Sequence, residues 1–447
     1  MQNFQSTVTR PLQADAVDTP RRAAGRALLT RFSGLTSRSR LAAVAASFAA
    51  CASIAALWPQ PTFAATNSPN APTIATAPTT TTANAAATDT SGPAVGTTVT
   101  DLAGRTVRIP PNPKRIILGE SRLLSAVALL EGNAPLARIV GWQGDLPTMD
   151  PQTFAAYGTT FPQIRTIPLI GKATEGSISD EKALQLKPDL AIFSLGGHGP
   201  SQYNALVKQL EATGTTVVFV DFRLHPMQNT LPSIRLLGEV MHREAQANAY
   251  IQFYTAHLQR VQQVVAAIPP AQRPKVFVDM LAGAWDAGCC HTAGNGNFGE
   301  FVTAAGGRNI AAGLVPGVLG DISMEQVIAA QPDVYIATGS HAKGNLVALR
   351  VGAETSQQDA RHSLAQLVAR PGFDAIKAIH DGDVHGISHN YYDSPYNIVA
   401  IEAFAKWFYP KQFATLDVNA TEAELYHHFL AVPTGGTYWV DAPAPGA

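Results

Sequence analysis

Ile178-Ser179-Asp180-Glu181 is followed, six residues on, by Pro188-Asp189-Leu190-Ala191-Ile192; Ile322-Ser323-Met324-Glu325 is followed, again six residues on, by Pro332-Asp333-Val334-Tyr335-Ile336. Both stretches read Ile-Ser-x-Glu, a short spacer, Pro-Asp, then an apolar run. Ser179 and Ser323 are of the type that caps a helix. The proline ends that helix, because the residue before it is pushed out of the helical region, and a strand starts at once. Glu181 and Glu325 each sit in a first turn, where an acidic group favours the helix dipole by about 0.3–1 kcal/mol. One copy would be explained by that alone. The same glutamate in both copies points to a shared role as well, and to two similar units in one chain.

Working outward, Thr98-Val99-Thr100 and Thr106-Val107-Arg108-Ile109 flank a turn and predict a hairpin. Short apolar strands near residues 115–119, 137–142, 189–194 and 216–221 alternate with helical stretches at 122–130, 180–186 and 203–213. Such alternation means a buried, mostly parallel sheet. Leu231, Ile234, Leu237 and Met241 mark a helix. Ile251, Tyr254, Leu258, Val261, Val265 and Ile268 mark a second, expected over 243–267 and ended by Pro269-Pro270. The alternation then resumes, with strands near 275–280, 333–338 and 383–388 and helices near 298–305 and 323–330. The fold class is therefore α/β: two Rossmann-like lobes with mostly parallel sheets, joined by a long backbone helix.

The chain has 447 residues, 46% hydrophobic and 15% charged, ample for packed cores. Arg10, Arg21, Arg22, Arg26, Arg31, Arg38 and Arg40 precede an uncharged, alanine-rich run ending at Pro61-Thr62-Phe63-Ala64. That pattern reads as a cleaved signal peptide over 1–64; lipidation at Cys51 and a membrane anchor are the rival readings. Residues 65–96 have almost no bulky apolar groups and read as a disordered linker. The expected boundaries are then 97–227 for the N-terminal lobe, 228–269 for the connecting helices, 270–433 for the C-terminal lobe and 434–447 for a loose tail. Without residues 1–64, Lys plus Arg falls from 32 to 25 and Asp plus Glu from 33 to 31, leaving a net charge of −6. No basic stripe remains to suggest nucleic acid.

Cys289 and Cys290 are the only cysteines after residue 64. Neighbours in sequence sit too close for ordinary disulfide geometry, so free thiols, a vicinal disulfide and an intermolecular link stay open. Gly294-x-Gly296-x-x-Gly299 matches the dinucleotide fingerprint in letters, but the nearest expected strand ends at Met280, so a flexible turn into the helix at Phe298 is the better reading. There is no HExxH, no Walker A loop and no nucleophile elbow.

Four further motifs define a resemblance: Val99-Thr100-Asp101-x-x-Gly104-Arg105-x-Val107; Pro113-Lys114-Arg115-Ile116-Ile117; Ala183-Leu184-Gln185-Leu186-Lys187-Pro188-Asp189-Leu190; and Ala305-Gly306-Gly307-Arg308-Asn309-Ile310. Over residues 97–430 the chain resembles the periplasmic binding proteins of ABC importers for ferric siderophores, haem and cobalamin. The resemblance implies two lobes on a helical backbone, a ligand in the cleft, and no catalysis. It implies a monomer in the periplasm that delivers a small-molecule metal chelate to an inner-membrane ABC permease, with Glu181 and Glu325 matching the docking glutamates. No intrinsic cofactor is expected; iron enters only as part of the chelate. Haem, cobalamin and a direct zinc or manganese receptor using His198, His291 and His341 are the alternatives.

Ligands of open α/β lobes lie beyond the carboxyl ends of the strands. That rule selects Arg122, Trp142, His198, Arg223, Trp285, Cys289, Cys290, His291, His341, Tyr391 and Tyr392 as candidate contacts. Arg122 and Arg223 suit an anionic chelate; the aromatic residues suit a planar catechol or porphyrin face.

Overall fold

The computed structural model describes residues 96–174, 176–199, 201, 204–284, 289–340, 347–433 and 435–442. The expected signal peptide, and the linker up to residue 95, lie outside the described residues.

The hairpin forms as read, from β1 (Thr98–Thr100) and β2 (Thr106–Arg108), paired antiparallel. The N-terminal lobe continues through β3 (Ile116–Leu118), α1 (Leu124–Glu131), β4 (Ile139–Gln143), α2 (Leu146–Met149) and α3 (Pro151–Thr160). Then come β5 (Leu169–Gly171), α4 (Asp180–Gln185), β6 (Leu190–Ser194), α5 (Leu195–His198), α6 (Asn204–Ala212) and β7 (Thr216–Val220). Its five strands run in the order β5-β4-β3-β6-β7, all parallel. Ile116, Ile117 and Leu118 are wholly buried, which is why β3 reads as an unbroken apolar run: in a sheet covered on both faces no side is left for water.

Two helices connect the lobes, α7 (Pro226–Met241) and α8 (Glu244–Ala266). The second falls within one residue of the expected 243–267 and, at 1.5 Å per residue, spans about 35 Å. Its inner stripe holds Tyr250, Tyr254, Val261 and Val265. It is tied to both lobes. Arg243, just ahead of α8, pairs with Glu131 of α1 at 3.2 Å. On the other side the Tyr250 hydroxyl donates to the Pro395 carbonyl at 2.5 Å and that of Tyr254 to Asn397 at 2.8 Å.

The C-terminal lobe contains β8 (Lys275–Asp279), β9 (His291–Ala293), α9 (Phe298–Ala304), β10 (Arg308–Asn309), β11 (Leu319–Asp321), α10 (Met324–Ala330) and β12 (Val334–Gly339). It ends with α11 (Gln357–Val368), α12 (Lys377–Asp381), β13 (Val384–Ser388), α13 (Asn397–Phe408), α14 (Val418–Phe429) and β14 (Trp439–Asp441). Sheet order is β10-β8-β12-β13-β14, parallel except for β14. The last strand corrects the expected loose tail: Trp439, Val440 and Asp441 pair with Ile387, Gly386 and His385.

The repeat builds the same joint twice. Ser179 accepts from the Lys182 amide and Ser323 from that of Gln326, capping α4 and α10. Lys187 and Gln331, each just before the proline, both have left-handed backbone, with φ of 45° and 50°. The Asp189 amide donates to the Arg115 carbonyl and the Asp333 amide to that of Lys275, both at 2.8 Å. Their carboxylates take the Lys114 and Arg115 amides in one lobe and the Lys275 amide in the other. Each Pro-Asp thus stitches a strand to its neighbour at the same point of its sheet.

The glycine motif has another use than expected. A strand, β9, does run directly into Gly294, but it pairs antiparallel with β11, apart from the parallel sheets, so no nucleotide turn forms. Gly296 lies against the Leu224 carbonyl of the other lobe, where a Cβ would collide. Asn297 then bonds across, its amide to Leu224 and its side chain to the Arg223 carbonyl at 2.7 Å. The glycine permits close lobe-to-lobe contact rather than flexibility.

Candidate functional site

The loops after β3, β7 and β13 meet between the lobes. Glu120, Ser121 and Arg122 follow β3. The Ser121 amide and hydroxyl both donate to Asp145 Oδ1, at 2.6 and 2.7 Å, and Arg122 Nε reaches Asp145 Oδ2 at 2.8 Å. From the C-terminal lobe, Asp393 pairs with Arg122 at 2.9 Å, and the Tyr392 hydroxyl accepts from Arg122 at 2.5 Å and from Arg223 at 2.7 Å. Both guanidinium groups also lie over the Tyr392 ring, 5.6 and 5.1 Å from its centre. Glu120 stands 3.7 Å from each arginine.

Tyr392 stacks on His389 at 4.3 Å, and His389 Nδ1 bonds the Thr338 hydroxyl at 2.9 Å. Burial first, then the fields of Arg122 and Arg223, push the His389 imidazole down to about 3, so it is neutral. Burial lifts the Asp393 carboxyl to about 6 in spite of its two arginines.

Beside this seam lies a small cavity of about 100 Å³, partly open to solvent and lined from both lobes. Its wall carries Tyr157 of α3, Tyr391 and Tyr396 after β13, Tyr426 of α14, and Tyr438. The polar wall includes Arg122, Asp150, Asn390, Asp393 and Glu422. The Tyr391 hydroxyl donates to Glu422 at 3.3 Å and that of Tyr396 to the Ser125 carbonyl at 2.9 Å. Burial pushes the Glu422 carboxyl up to about 7, and that of Asp150 above the usual carboxylate range. Its wall offers a ligand aromatic faces, hydroxyls and carboxyl oxygens.

Of the residues selected from sequence, Arg122, Arg223, Tyr391 and Tyr392 come together here. Trp142 does not: it lies inside β4 and is 1% exposed, packed in the lobe's core, so it offers no face to a ligand. Cys289 and Cys290 are bonded to each other through sulfur, across a cis peptide. Cys290 is buried in a hydrophobic cluster on the far side of the sheet and exchanges backbone bonds with Ile322, which takes the pair away from the cavity wall. His291 is likewise elsewhere, bonded at 2.9 Å to its cross-strand partner Asp321. Trp285 and His341 lie outside the described residues, and of His198 only the backbone, ending α5, is described. Among the described residues no three His, Cys, Asp or Glu side chains converge as a metal site, and no helix is long and apolar enough to cross a membrane.

Sequence reasoning missed Asp145, Asp150, Tyr157, Asp393, Tyr396, Glu422, Tyr426 and Tyr438. The tyrosine run 391–392–396 just after β13 was the available signal. Glu181 and Glu325 are both exposed in the first turns of α4 and α10. The Ser323 hydroxyl holds the Glu325 carboxyl below the usual range.

Two α/β lobes on a shared helical backbone, with a cavity between them, define a solute-binding protein. The sequence profile of the periplasmic binding protein family matches residues 150–391, and the chain belongs to that family. Solved structures of periplasmic binding proteins share the fold, three of them as follows. A TroA-like periplasmic binding protein, FepB, from Veillonella parvula is 23% identical, with a TM-score of 0.70, over 77% of this chain and 99% of that one. The molybdate periplasmic binding protein MolA from Haemophilus influenzae, bound to molybdate, is 18% identical, with a TM-score of 0.59, over 76% and 99%. An ABC transporter solute binding protein from Sulfurospirillum deleyianum is 20% identical, with a TM-score of 0.56, over 75% and 95%. No curated protein matches the chain. Membership makes this a transport binding protein of an ABC system, which implies an extracytoplasmic location, a small-molecule ligand and a permease partner.

Proposed function

We propose that the protein binds a ferric siderophore or related iron chelate in the inter-lobe cavity and delivers it, as a periplasmic monomer, to an inner-membrane ABC permease. What supports the reading is the tyrosine-lined wall between the lobes: five phenol rings, drawn from both lobes, suit a chelate with organic faces. Iron is cargo here, carried within the chelate, and the protein holds no cofactor of its own. Glu181 and Glu325 dock the loaded protein on the permease. Two like charges at matched points of two lobes set an orientation on a two-fold partner, and charge complementarity of that kind acts on encounter and register.

Intrinsic-fluorescence titration of the mature protein with ferric siderophores, haem and cobalamin tests the ligand. Saturable quenching by a ferric siderophore is expected; saturation by haem or cobalamin alone overturns the reading. For the docking surface, the double variant Glu181→Ala, Glu325→Ala is expected to keep ligand affinity and lose uptake in cells. Uptake at the unaltered rate removes that assignment.

A further inference from the structure

The cavity's charge constrains its ligand beyond the class proposed above, and the step rests on that reading. Two arginines stand at the seam, and three carboxylates already face them. Asp145 and Asp393 lie 2.8 and 2.9 Å from Arg122, Asp393 also lies 3.7 Å from Arg223, and Glu120 lies 3.7 Å from both. Glu120 and Asp145 belong to the same lobe as the arginines. Parting the lobes would remove Asp393 but still leave two positive charges against two negative ones. Neither arginine is therefore a free anion receptor.

The cavity wall repeats the bias. Arg122 is its one described cation, against Asp150, Asp393 and Glu422. Among the described residues Glu422 has no basic partner to lower its carboxyl, only burial and the Tyr391 hydroxyl. A buried carboxyl in that state is costly to ionise, and an incoming cation relieves the cost. Tyrosine faces are negative and add to the attraction.

We propose that the ligand carries no net negative charge: the cavity accepts uncharged or cationic chelates, of which ferric tris-hydroxamates are the chemical type, and turns away polyanionic ones such as ferric tris-catecholates. A trianion would shed its hydration against carboxylates, with no unpaired described cation to receive it.

The test titrates the mature protein with three probes: an uncharged ferric tris-hydroxamate, a ferric tris-hydroxamate bearing an ammonium group, and a ferric tris-catecholate trianion. The cationic probe is expected to bind tightest and the trianion at least about 100-fold more weakly than the neutral one, which is the size of a few unfavourable charge contacts in a half-buried site. Glu422→Gln and Asp150→Asn, checked for folding by their melting curves, are expected to remove most of the cationic probe's advantage, read as the ratio of cationic to neutral affinity within each variant. A trianion that binds as well as the neutral hydroxamate overturns this inference and leaves iron-chelate binding standing. Cobalamin binding in place of every iron chelate does the reverse, since cobalamin is not anionic. Haem binding in their place, with its two carboxylates, or no binding at all, overturns both.

Discussion

The Tyr392 hydroxyl accepts from guanidinium groups of the opposite lobe at 2.5 and 2.7 Å, and its ring lies under both. Hydrogen bonds to charged groups contribute about 1.5–3 kcal/mol each at most, and part of the cation–π contact survives loss of the hydroxyl. Tyr392→Phe is therefore expected to lower stability by roughly 2 kcal/mol, read as a shift in the urea midpoint. At this scale the sequence was half legible. Arg122, Arg223, Tyr391 and Tyr392 could be placed because strand ends point at a cleft. The same rule failed for Trp142, because that residue lies within β4 rather than beyond it, and a sheet covered on both faces buries whatever the strand carries. Nor could spacing reveal that Asp145 and Asp393, 23 and 271 positions from Arg122, neutralise it.

Among the elements, the repeat was the clearest signal, and it delivered more than it promised: the same cap, the same left-handed residue and the same aspartate stitch occur in both lobes. Left-handed backbone costs a residue with a Cβ roughly 1–2 kcal/mol, whereas glycine adopts it freely but loses more entropy on folding. Lys187→Gly and Gln331→Gly are each expected to raise stability by roughly 0.5 kcal/mol, measured by denaturant unfolding, with the two effects additive because the sites lie in different lobes. The helices α3, α13 and α14 were not read from sequence, and Tyr157 lies on α3 and Glu422 and Tyr426 on α14. Helix α13 is apolar around most of its surface, with ten of its residues buried, so no amphipathic stripe marks it.

Across the whole molecule, burial raises several carboxyl groups at once: Asp279 and Asp393 to about 6 and Glu422 to about 7. A carboxyl whose folded value lies above its unfolded one favours the fold while protonated. That contribution is complete below about pH 4 and declines as pH rises through 6 to 7. The melting temperature is accordingly expected to fall between pH 5 and 7.5. Asp279→Asn should flatten part of that slope, by on the order of 2 kcal/mol, because the Tyr335 hydroxyl, 2.6 Å away, can donate to an amide oxygen as well. The strand Trp439–Asp441 is held by His385, which sits 2.8 Å from both Asp383 and Asp441 and stacks on Trp407. Were a protease to trim the chain just before it, β13 would become the border of its sheet, with a bare row of amides and carbonyls able to recruit the same row from another copy. Shortened protein would then betray itself in storage, by clumping, before any ligand assay noticed the loss.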